Sequence, residues 1–528
     1  MTFLSGLQAV LKSAADNHVS AVFGVPGSPT TDVVTAFQES PEFSSTSEWF
    51  MNEKIAFEWA LGTSFSGKRS LVVVKHVGMN VLADPLMTSM IHTIGAGLVI
   101  LVGDDPEVTG SQNSQDSRYY GNLSRSPVFD PSTPQEIYNF LTASFQLSEK
   151  IKAPVIVRVT AAILNDEAEV KAAADISAAD SGADLKTDKY VWQYRMKGRY
   201  QRSHYANDSV LSKTAADFCR IGNAASGGEN SLGIITSGFC YSRTIAVLKS
   251  MPNIPVLKIG VVSPLPIEQI RQFLEKHKTV LVIEESEPVI EDQIRVYGNV
   301  IGKRSGHLPF GSTAEAHILS AIENSNQPSV PISTNIEMFK RPADNSYFCD
   351  GCLYPAFYEM LGRLKEKTKL PVTGDIGCSM YGIVAPFSVL DSAVSLGAGI
   401  GIGSGVSRAV GKKSIAVIGD FGFFHSGLLS LIEAAEKGVS ELVYVMHNSA
   451  AAMTGGQAVY DPENLIRAAV QTGSIPDQST IQSFDFDVSA TGEVLNNEMQ
   501  LLFEASSKEI EKEGISVIIV RWKCRKHK

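Results

Sequence analysis

The sequence predicts an α/β protein built from mostly parallel, doubly wound sheets, and two observations support this. Short, fully apolar runs recur along the 528-residue chain, and each is followed by a glycine or polar turn and then a helical pattern. Continuous apolar strands separated by helices are typical of parallel sheets covered on both faces. Such sheets bind ligands at the carboxyl ends of their strands, so functional residues are expected there.

The apolar runs fall into three groups along the chain. The first group contains VSAVFGVPG from Val19, SLVVVKH from Ser70, GLVILVGDD from Gly97 and PVIVRVT from Pro154. The second contains LGIITSG from Leu232, VLKIGV from Val256 and TVLVIEES from Thr279. The third contains SIAVIGD from Ser414, ELVYVMHN from Glu441 and SVIIVRW from Ser516. Two polar stretches, 181–229 and 326–344, read as linkers, which gives three α/β domains over 1–180, 230–325 and 345–528.

Composition excludes several classes of protein. The formal net charge is −10, which argues against a nucleic-acid binder. The longest apolar run is too short to span a membrane, and the start of the chain lacks the pattern of a signal peptide, so a cytoplasmic location is expected. Six cysteines in a large chain argue against a disulfide scaffold and favour metal binding or redox chemistry for clustered thiols.

Polar side chains follow two apolar strands of the third group. Asp420 comes directly after SIAVIG, and Asn448 directly after ELVYVMH. Oxygen ligands on adjacent strand ends suit a Mg²⁺ that bridges a diphosphate, and this Gly-Asp…Asn spacing is that of the thiamine diphosphate motif. An ordinary strand–helix turn is the alternative. The glycine-rich loop 452–457, which can approach a phosphate closely, favours the cofactor site.

A thiamine site also needs a glutamate whose carboxyl group hydrogen-bonds the aminopyrimidine ring. Glu53 is the candidate, because Asn52-Glu53-Lys54 opens a helical pattern. A glutamate in a first helical turn is also simply favourable beside the helix dipole, so the position by itself leaves both roles open.

Four cysteines have a pattern that metal ligands use. Cys349 and Cys352 form a C-x2-C pair, Cys378 lies in GDIGC, and Cys524 follows the last strand. Four thiolates could hold a [4Fe–4S] cluster or a structural zinc, or could be ordinary buried thiols, and spacing alone leaves these three readings open. The other two, Cys219 and Cys240, have no partner at ligand spacing and are predicted to be structural.

The sequence resembles the alpha subunit of indolepyruvate ferredoxin oxidoreductase, within the 2-oxoacid:ferredoxin oxidoreductases. The resemblance covers nearly the whole chain. It is carried in the first domain by GVPGSPTTDV, MNEKIAFEWALG, VVKHVGMNVLADPLM and VGDDPEVTGSQNSQDSRYYG, in the second by LGIITSGFCY, VLKIGVVSPLP and VIEESEPVIEDQI, and in the third by CDGC, GDIGC, AVIGDFGFFHSG and AMTGGQ.

This resemblance implies a role for each domain and for specific residues. Domain 1–180 would bind the thiamine pyrimidine, 230–325 would resemble a transketolase C-terminal domain, and 345–528 would bind the diphosphate and Mg²⁺. Glu53 would activate the cofactor, and Mg²⁺ would be held by Asp420, Asn448 and the carbonyl of Ala450. The remaining implied cofactor contacts are Gly419, Phe421, Gly422, Met453 and Thr454.

The resemblance also implies how substrate and electrons are handled. Ser28, His76, Asn80 and Arg118 would lie near the substrate, with the Arg118 fork suited to a carboxylate. Cys349, Cys352, Cys378 and Cys524 would ligate one [4Fe–4S] cluster close to the thiamine.

The implied reaction is oxidative decarboxylation of a 2-oxoacid, such as an aryl pyruvate, with CoA to acyl-CoA and CO₂. The implied partners are a smaller beta subunit, in an α2β2-type assembly, and ferredoxin. A non-redox thiamine lyase or decarboxylase and a non-catalytic subunit are the alternatives.

Departures from the family pattern surround the cofactor. His447 stands where the family typically has Asp, Ser449-Ala450-Ala451 where it has Arg-Thr-Thr, and Gly456 where it often has His. The family's alpha subunit usually continues into a ferredoxin-like domain, whereas this sequence stops four residues after Cys524. We therefore expect electrons to leave through the single cluster to a separate ferredoxin.

Overall fold

The computed structural model describes residues 2–108, 111, 113–173, 176, 201–222, 232–251, 253–331, 347–471, 480–487, 489 and 492–526. The chain divides into two compact units, Met1–Asn335 and Ile336–Lys528. The first unit contains two large sheets and the second contains one, so each of the three predicted α/β stretches holds a sheet.

The first unit consists of alternating strands and helices. Its strands are β1 (Thr2–Ser5), β2 (Ala21–Gly24), β3 (Ser47–Trp49), β4 (Ser70–Lys75), β5 (Leu98–Asp104), β6 (Val128–Phe129), β7 (Val155–Thr160), β8 (Glu167–Val170), β9 (Cys219–Gly222), β10 (Leu232–Ser237), β11 (Val256–Ile259), β12 (Val261–Ser263), β13 (Thr279–Ile283) and β14 (Val300–Ile301). Its helices are Gly6–Asp16, Thr31–Glu39, Glu53–Phe65, His76–Val81, Ala83–Ile91, Tyr119–Ser124, Pro134–Ile151, Ala161–Asn165, Arg202–Ala206, Asp208–Asp217, Gly238–Leu248, Ile267–Glu275, Val289–Ile294 and Glu315–Glu323.

Both large sheets of the first unit are mostly parallel, as predicted. One has the order β12-β6-β7-β5-β4-β2-β3 and is parallel except for the β12–β6 pair. The other has the order β14-β13-β10-β11-β9 and is parallel except for the β11–β9 pair. Every residue of β5 is buried, because helices cover both faces of the sheet.

The predicted linker 181–229 contains regular structure where it is described. Residues 202–206 and 208–217 are helical, and β9 is an edge strand of the middle sheet. That sheet therefore begins before residue 230, because β9 pairs antiparallel with β11. As expected for an edge strand, the residues of β9 are half-buried or exposed. The remaining parts of the predicted linkers, 181–200, 223–229 and 332–344, lie outside the described residues.

The second unit is built around one sheet. Its strands are β15 (Val372–Gly374), β16 (Ser392–Ala393), β17 (Ser414–Gly419), β18 (Glu441–His447), β19 (Ala450–Ala451), β20 (Gln457–Ala458), β21 (Thr480–Asp485) and β22 (Ile515–Arg521). Its helices are Tyr354–Thr368, Cys378–Ile383, Gly399–Val410, Asp420–Gly422, Phe423–Gly427, Leu428–Glu436, Ala452–Thr454, Glu463–Gln471 and Glu493–Ile510. Across the described ranges of the chain, no helix is long and apolar enough to cross a lipid bilayer.

The sheet of the second unit is entirely parallel, in the order β16-β15-β17-β18-β22-β21. Successive residues of β18 enter two different cores. Leu442, Tyr444 and Met446 pack in one core, and Val443 and Val445 pack in the other. A strand that is buried on both faces must be apolar at every position, which is why the predicted run ELVYVMH contains so few polar residues.

Glu441 is the polar exception at the start of β18. Its side chain is fully buried, and Ser404 Oγ donates a hydrogen bond to Glu441 Oε2 at 2.7 Å. Burial raises the pKa of Glu441 to about 8, because the charged form loses its hydration, whereas the hydrogen bond from Ser404 opposes that rise. At a pH between about 4.5 and about 8, Glu441 therefore keeps its proton in the folded protein, whereas the unfolded chain, with a carboxyl pKa of 4.5, releases it.

We expect Glu441→Gln to remove a pH dependence of stability. Because the raised folded pKa means that the native state binds more protons, the contribution of Glu441 to the free energy of unfolding falls as pH rises from about 4.5 to about 8. The glutamine has no proton to lose, so the variant gains relative stability, on the order of a few kcal/mol, by pH 9. Urea unfolding at pH 6 and pH 9 measures this difference.

The matched control is Glu433→Gln, because that side chain is 68% exposed. An equal change with pH in both variants would contradict the assignment to Glu441.

Candidate functional site

The ends of β17 and β18 bring Asp420 and Asn448 together. The two strands are parallel with Gly419 opposite Met446, so both chains leave the sheet at the same edge. Asp420 Oδ2 accepts hydrogen bonds from the main-chain amides of Asn448 at 3.0 Å and Ser449 at 2.8 Å. The adjacency predicted from the sequence is therefore present, and it is fixed by backbone contacts.

These residues fit the oxygen chemistry of Mg²⁺. The side chains of Asp420 and Asn448 are both buried, and the Asn448 side-chain oxygen accepts from the amide of Ala450 at 3.0 Å. One carboxylate, one amide oxygen and a main-chain carbonyl are hard ligands of the kind that Mg²⁺ takes.

His447 is a further partner of Asp420. Its Nδ1 lies 2.9 Å from Asp420 Oδ2, and its Nε2 lies 3.3 Å from Ser449 Oγ. The residue that departs from the family pattern therefore contacts the central carboxylate directly. Ser449, the next departure, has a φ of 62°, so it turns the chain back towards Asp420.

A helical segment starts at this edge of the sheet. Residues 420–436 are helical throughout, and the amide of Phe421 donates to Asp420 Oδ1 at 2.8 Å. Amide groups at the start of a helix favour a bound anion such as a diphosphate. Across from it, Met453 is 42% exposed, and Thr454 Oγ1 donates to the carbonyl of Ala451 at 3.1 Å.

Asp375 is a residue of this site that the sequence reasoning did not single out. It follows β15 and is fully buried, and its Oδ1 accepts from the amides of Ile376 at 2.8 Å and Gly397 at 2.6 Å. No described residue hydrogen-bonds its Oδ2. That oxygen lies where a Cβ on Gly422 would stand, so Gly422 must be glycine. The sequence could have indicated Asp375, because it is the aspartate of the motif GDIGC.

Burial raises the pKa of Asp375 to about 7, and the amides of Gly397 and Ile376 oppose that rise. Asp375 lies in the loop that leads to Cys378. It contacts both the loop before helix Gly399–Val410, through Gly397, and the turn at Gly422. We interpret it as a positioning residue for the turn at Gly422.

The four predicted cluster cysteines line one cavity. The cavity has a volume of about 260 Å³, and Asn448, Ala452 and Met453 also line it. Cys349 is exposed, and Cys352, Cys378 and Cys524 are partly buried. The carboxyl ends of β15 and β22 supply Cys378 and Cys524, whereas the C-x2-C pair precedes helix Tyr354–Thr368.

The electrostatics of this cavity fit a positively charged metal group. Burial is the main cause that raises the pKa of Cys352 to about 11 and that of Cys378 to about 12, and the neighbouring sulfurs contribute to both rises. Thiolates are metal ligands, so iron ions would supply the positive charge that these thiols lack. Among the described residues, no group of three or more His, Cys, Asp or Glu side chains is arranged so that it could hold a single metal ion. The four cysteines nevertheless share one cavity.

Glu53 lies in the first unit, at the start of helix Glu53–Phe65. Asn52 caps this helix, since its side-chain oxygen accepts from the amides of Lys54 at 3.0 Å and Ile55 at 3.4 Å. The Glu53 side chain is buried against Gly78, where an added Cβ would stand 2.8 Å from Glu53 Oε1. The motifs MNEK and KHVGMN are therefore in contact.

Lys75 is a second residue that sequence reasoning missed. It ends β4 and precedes His76, so it belongs to a motif that was already noted. Burial lowers the pKa of Lys75, whereas the nearby carboxylates of Asp105 and Glu53 oppose that fall. An amine in this position balances the charge of Glu53.

The structure places Ser28, His76 and Asn80 in different surroundings. Ser28 is exposed and precedes a cis proline. His76 is buried, with Nε2 3.2 Å from Asn113 Oδ1. Asn80 is exposed and exchanges side-chain hydrogen bonds of 3.0 Å with Gln115. Ser28 follows β2, and His76 and Asn80 follow β4.

Arg118 does not have the surroundings of a substrate contact. Its guanidinium is 1% exposed and pairs with Asp116 at 2.6 Å and Glu284 at 2.8 Å. The same group also donates to the carbonyls of Glu285 at 2.7 Å and Glu287 at 2.9 Å. Because all its nitrogens are engaged, no fork remains for a carboxylate. We therefore assign Arg118 to the packing of the two sheets of the first unit.

Comparison with known proteins agrees with the geometry of the second unit. Residues 375–520 match the family model of the thiamine pyrophosphate enzyme C-terminal TPP-binding domain. The chain is 30% identical over 470 residues to the indolepyruvate oxidoreductase subunit IorA of Methanothermobacter marburgensis, covering 86% of this chain and 76% of that protein.

Two further likenesses were found. The chain is 29% identical to the indolepyruvate oxidoreductase subunit IorA of Methanothermobacter thermautotrophicus, over 99% of this chain and 86% of the relative. A solved structure of 2-oxoglutarate:ferredoxin oxidoreductase from Magnetococcus marinus is 13% identical, with a TM-score of 0.45, over 62% of this chain and 65% of that chain.

We expect Arg118→Met to destabilise the first unit. The substitution leaves Asp116 and Glu284 buried without their counterion, which typically costs about 3–5 kcal/mol. Chemical unfolding monitored by circular dichroism measures the loss. Arg304→Met, which removes the exposed partner of Asp292, is the control and should have a much smaller effect. Unchanged stability with weakened 2-oxoacid binding would instead support a substrate contact.

Proposed function

The chain belongs to the family of the indolepyruvate oxidoreductase subunit IorA, and on this basis we propose that it is the catalytic, thiamine-diphosphate-binding subunit of a 2-oxoacid:ferredoxin oxidoreductase. The proposed reaction converts a 2-oxoacid and CoA to acyl-CoA and CO₂, with an aryl pyruvate such as indolepyruvate as the substrate. One observation carries the proposal. Asn448, which hydrogen-bonds with Asp420 at the strand edge, also lines the cavity of the four cysteines.

The chain's own residues would hold the cofactor in place. Asp420, Asn448 and the carbonyl of Ala450 would bind Mg²⁺, and the start of the helical segment at 420 would face the diphosphate. Asp375 would keep the turn at Gly422 in position. Thiamine diphosphate, when bound, supplies the carbanion that attacks the keto carbon of the substrate.

Residues of the first unit would handle protons and the substrate. Glu53 would hydrogen-bond the pyrimidine ring through its buried carboxyl group and exchange a proton with it, and Lys75 would balance the negative charge of Glu53 whenever that group is ionised. Ser28, in the loop after β2, and His76 and Asn80, in the helix after β4, would contact the 2-oxoacid.

The cysteines would carry the electrons. Cys349, Cys352, Cys378 and Cys524 would ligate one [4Fe–4S] cluster, and their cavity adjoins Asn448. The released electrons would pass to ferredoxin. The relatives are named as subunits, which supports a partner subunit. We propose that this partner is the smaller beta subunit. We propose an α2β2-type assembly in the cytoplasm.

Anaerobic purification with the partner subunit tests the function. We expect bound iron, sulfide and thiamine, and reduction of a viologen dye with a 2-oxoacid and CoA. Iron-free protein that decarboxylates would indicate a non-redox thiamine enzyme. Failure to bind thiamine at saturating Mg²⁺ would indicate a non-catalytic subunit.

We expect Cys378→Ser to abolish dye reduction and to remove most of the bound iron, because the cluster would lose a thiolate ligand. Iron content and the visible absorption band measure the loss. The matched control is Cys219→Ser, a cysteine of the first unit that does not line the cavity. Equal iron loss in both variants, or retained iron in Cys378→Ser, would contradict the cluster assignment.

We expect Glu53→Gln to lower kcat by a factor of about 10² to 10⁴, with a smaller change in KM, because proton transfer is lost while the shape of the site is kept. Steady-state dye reduction gives both constants. Glu58→Gln is the control, since that side chain lies on the same helix and is 44% exposed. Unchanged kcat in Glu53→Gln would remove Glu53 from the mechanism.

A further inference from the structure

The chain segment after β22 surrounds the cysteine cavity with positive charge. Lys523, Arg525 and Lys526 are exposed, and Cys524 is partly buried between them. All three cations are among the residues that line the cavity, and their exposure places them on its solvent side. We call these three side chains the basic rim.

Backbone contacts fix where the basic rim lies. The amide of Trp522 donates to the carbonyl of His447 at 3.1 Å, and the amide of Cys524 donates to the carbonyl of Asn448 at 3.4 Å. The segment therefore continues along the end of β18 and does not leave the surface of the unit. Trp522 itself is buried and packs edge-on against Tyr354 at a ring distance of 5.3 Å.

The cations lie close to the sulfur ligands. The guanidinium of Arg525 covers the C-x2-C turn, with Nη2 2.6 Å from where a Cβ on Gly351 would stand. The amide of Lys526 donates to Cys524 Sγ at 3.4 Å, and its ammonium group is near enough to Cys378 to interact with that thiol. A partner bound to these cations would sit directly over the cavity.

The local charge is opposite to that of the whole chain. Asp350 is the acidic side chain among the residues that line the cavity, so three cations face one anion. The whole chain has a net charge of −10. A small acidic protein would therefore be repelled by the chain in general and attracted to this opening, which directs it to the sulfurs.

We propose that the basic rim is the docking surface for a small acidic iron–sulfur protein that takes electrons from the cysteine site. This inference rests on the proposed function. Conversion of a 2-oxoacid anion and the CoA thiol to acyl-CoA and CO₂ breaks the carbon–carboxylate bond, forms the thioester bond, and releases one proton and two electrons. A one-electron acceptor must therefore dock twice in each turnover, so an open and charged surface suits it better than a closed interface.

The cations could instead serve the cluster itself. Positive charge beside a cluster changes its reduction potential, and this effect would be the same for every electron acceptor. Docking predicts something different, since its effect depends on the charge of the acceptor and on ionic strength.

The test uses the holoenzyme with its partner subunit and the triple variant Lys523→Gln, Arg525→Gln, Lys526→Gln. With a purified acidic ferredoxin as the probe, we expect kcat/KM to fall roughly tenfold at low salt and the difference to vanish at high salt. With a zwitterionic viologen that carries no net charge, we expect unchanged activity. The midpoint potential of the cluster is expected to stay the same.

Two further variants sharpen the test. The triple variant Lys412→Gln, Lys437→Gln, Lys508→Gln removes the same charge from exposed positions outside the cavity lining and should keep full activity with ferredoxin. Arg525→Lys keeps the charge and should keep most of the ferredoxin activity.

Four results would overturn the docking surface. The first is an unchanged kcat/KM with ferredoxin, and the second is an equal loss of activity with the neutral dye. The others are a shifted midpoint potential of the cluster and an equal loss of ferredoxin activity in the control variant. If the unsubstituted enzyme reduces neither acceptor, the proposed function fails instead.

Discussion

The parallel register of β17, β18 and β22 is the constraint on which the candidate site depends. Gly419 lies opposite Met446, and His447 lies opposite Arg521, so three chain segments leave the sheet at one level. Asp420, Asn448 and Cys524 follow within three residues of these strand ends. A slip of one residue in either pairing would turn every side chain of a strand to the other face and would break both apolar cores.

Buried carboxylates at this edge are stabilised mainly by the backbone. Asp420 accepts hydrogen bonds from three main-chain amides, those of Phe421, Asn448 and Ser449. Asp375 accepts hydrogen bonds from main-chain amides of two loops, and its other carboxylate oxygen faces Gly422. A buried charge is costly unless such donors compensate it, so the loops and the carboxylates fix each other's positions. The turn around a diphosphate would thus be arranged before any ligand binds.

In the first unit, buried charged side chains pair with each other and stabilise the packing. Arg118 joins Asp116 to Glu284, and Arg158 joins Asp104 to Asp130 at 2.6 and 3.2 Å. These pairs connect the strand ends of the large sheet with the loops that meet the middle sheet. They show why an arginine in a family motif need not touch the substrate, because its charge can be fully used within the protein.

Sequence alone determined the α/β class, the parallel sheets and the pairing of Asp420 with Asn448, because continuous apolar strands and polar residues at their ends are local patterns. It also marked the four cysteines, although spacing did not distinguish a cluster from zinc or core thiols. Only the tertiary structure decided the surroundings of Arg118, Asp375 and Lys75, and the position of the basic rim over the cysteine cavity. These depend on contacts between residues far apart in the chain, and burial, hydrogen bonding and charge at such contacts are set by packing and not by neighbouring sequence.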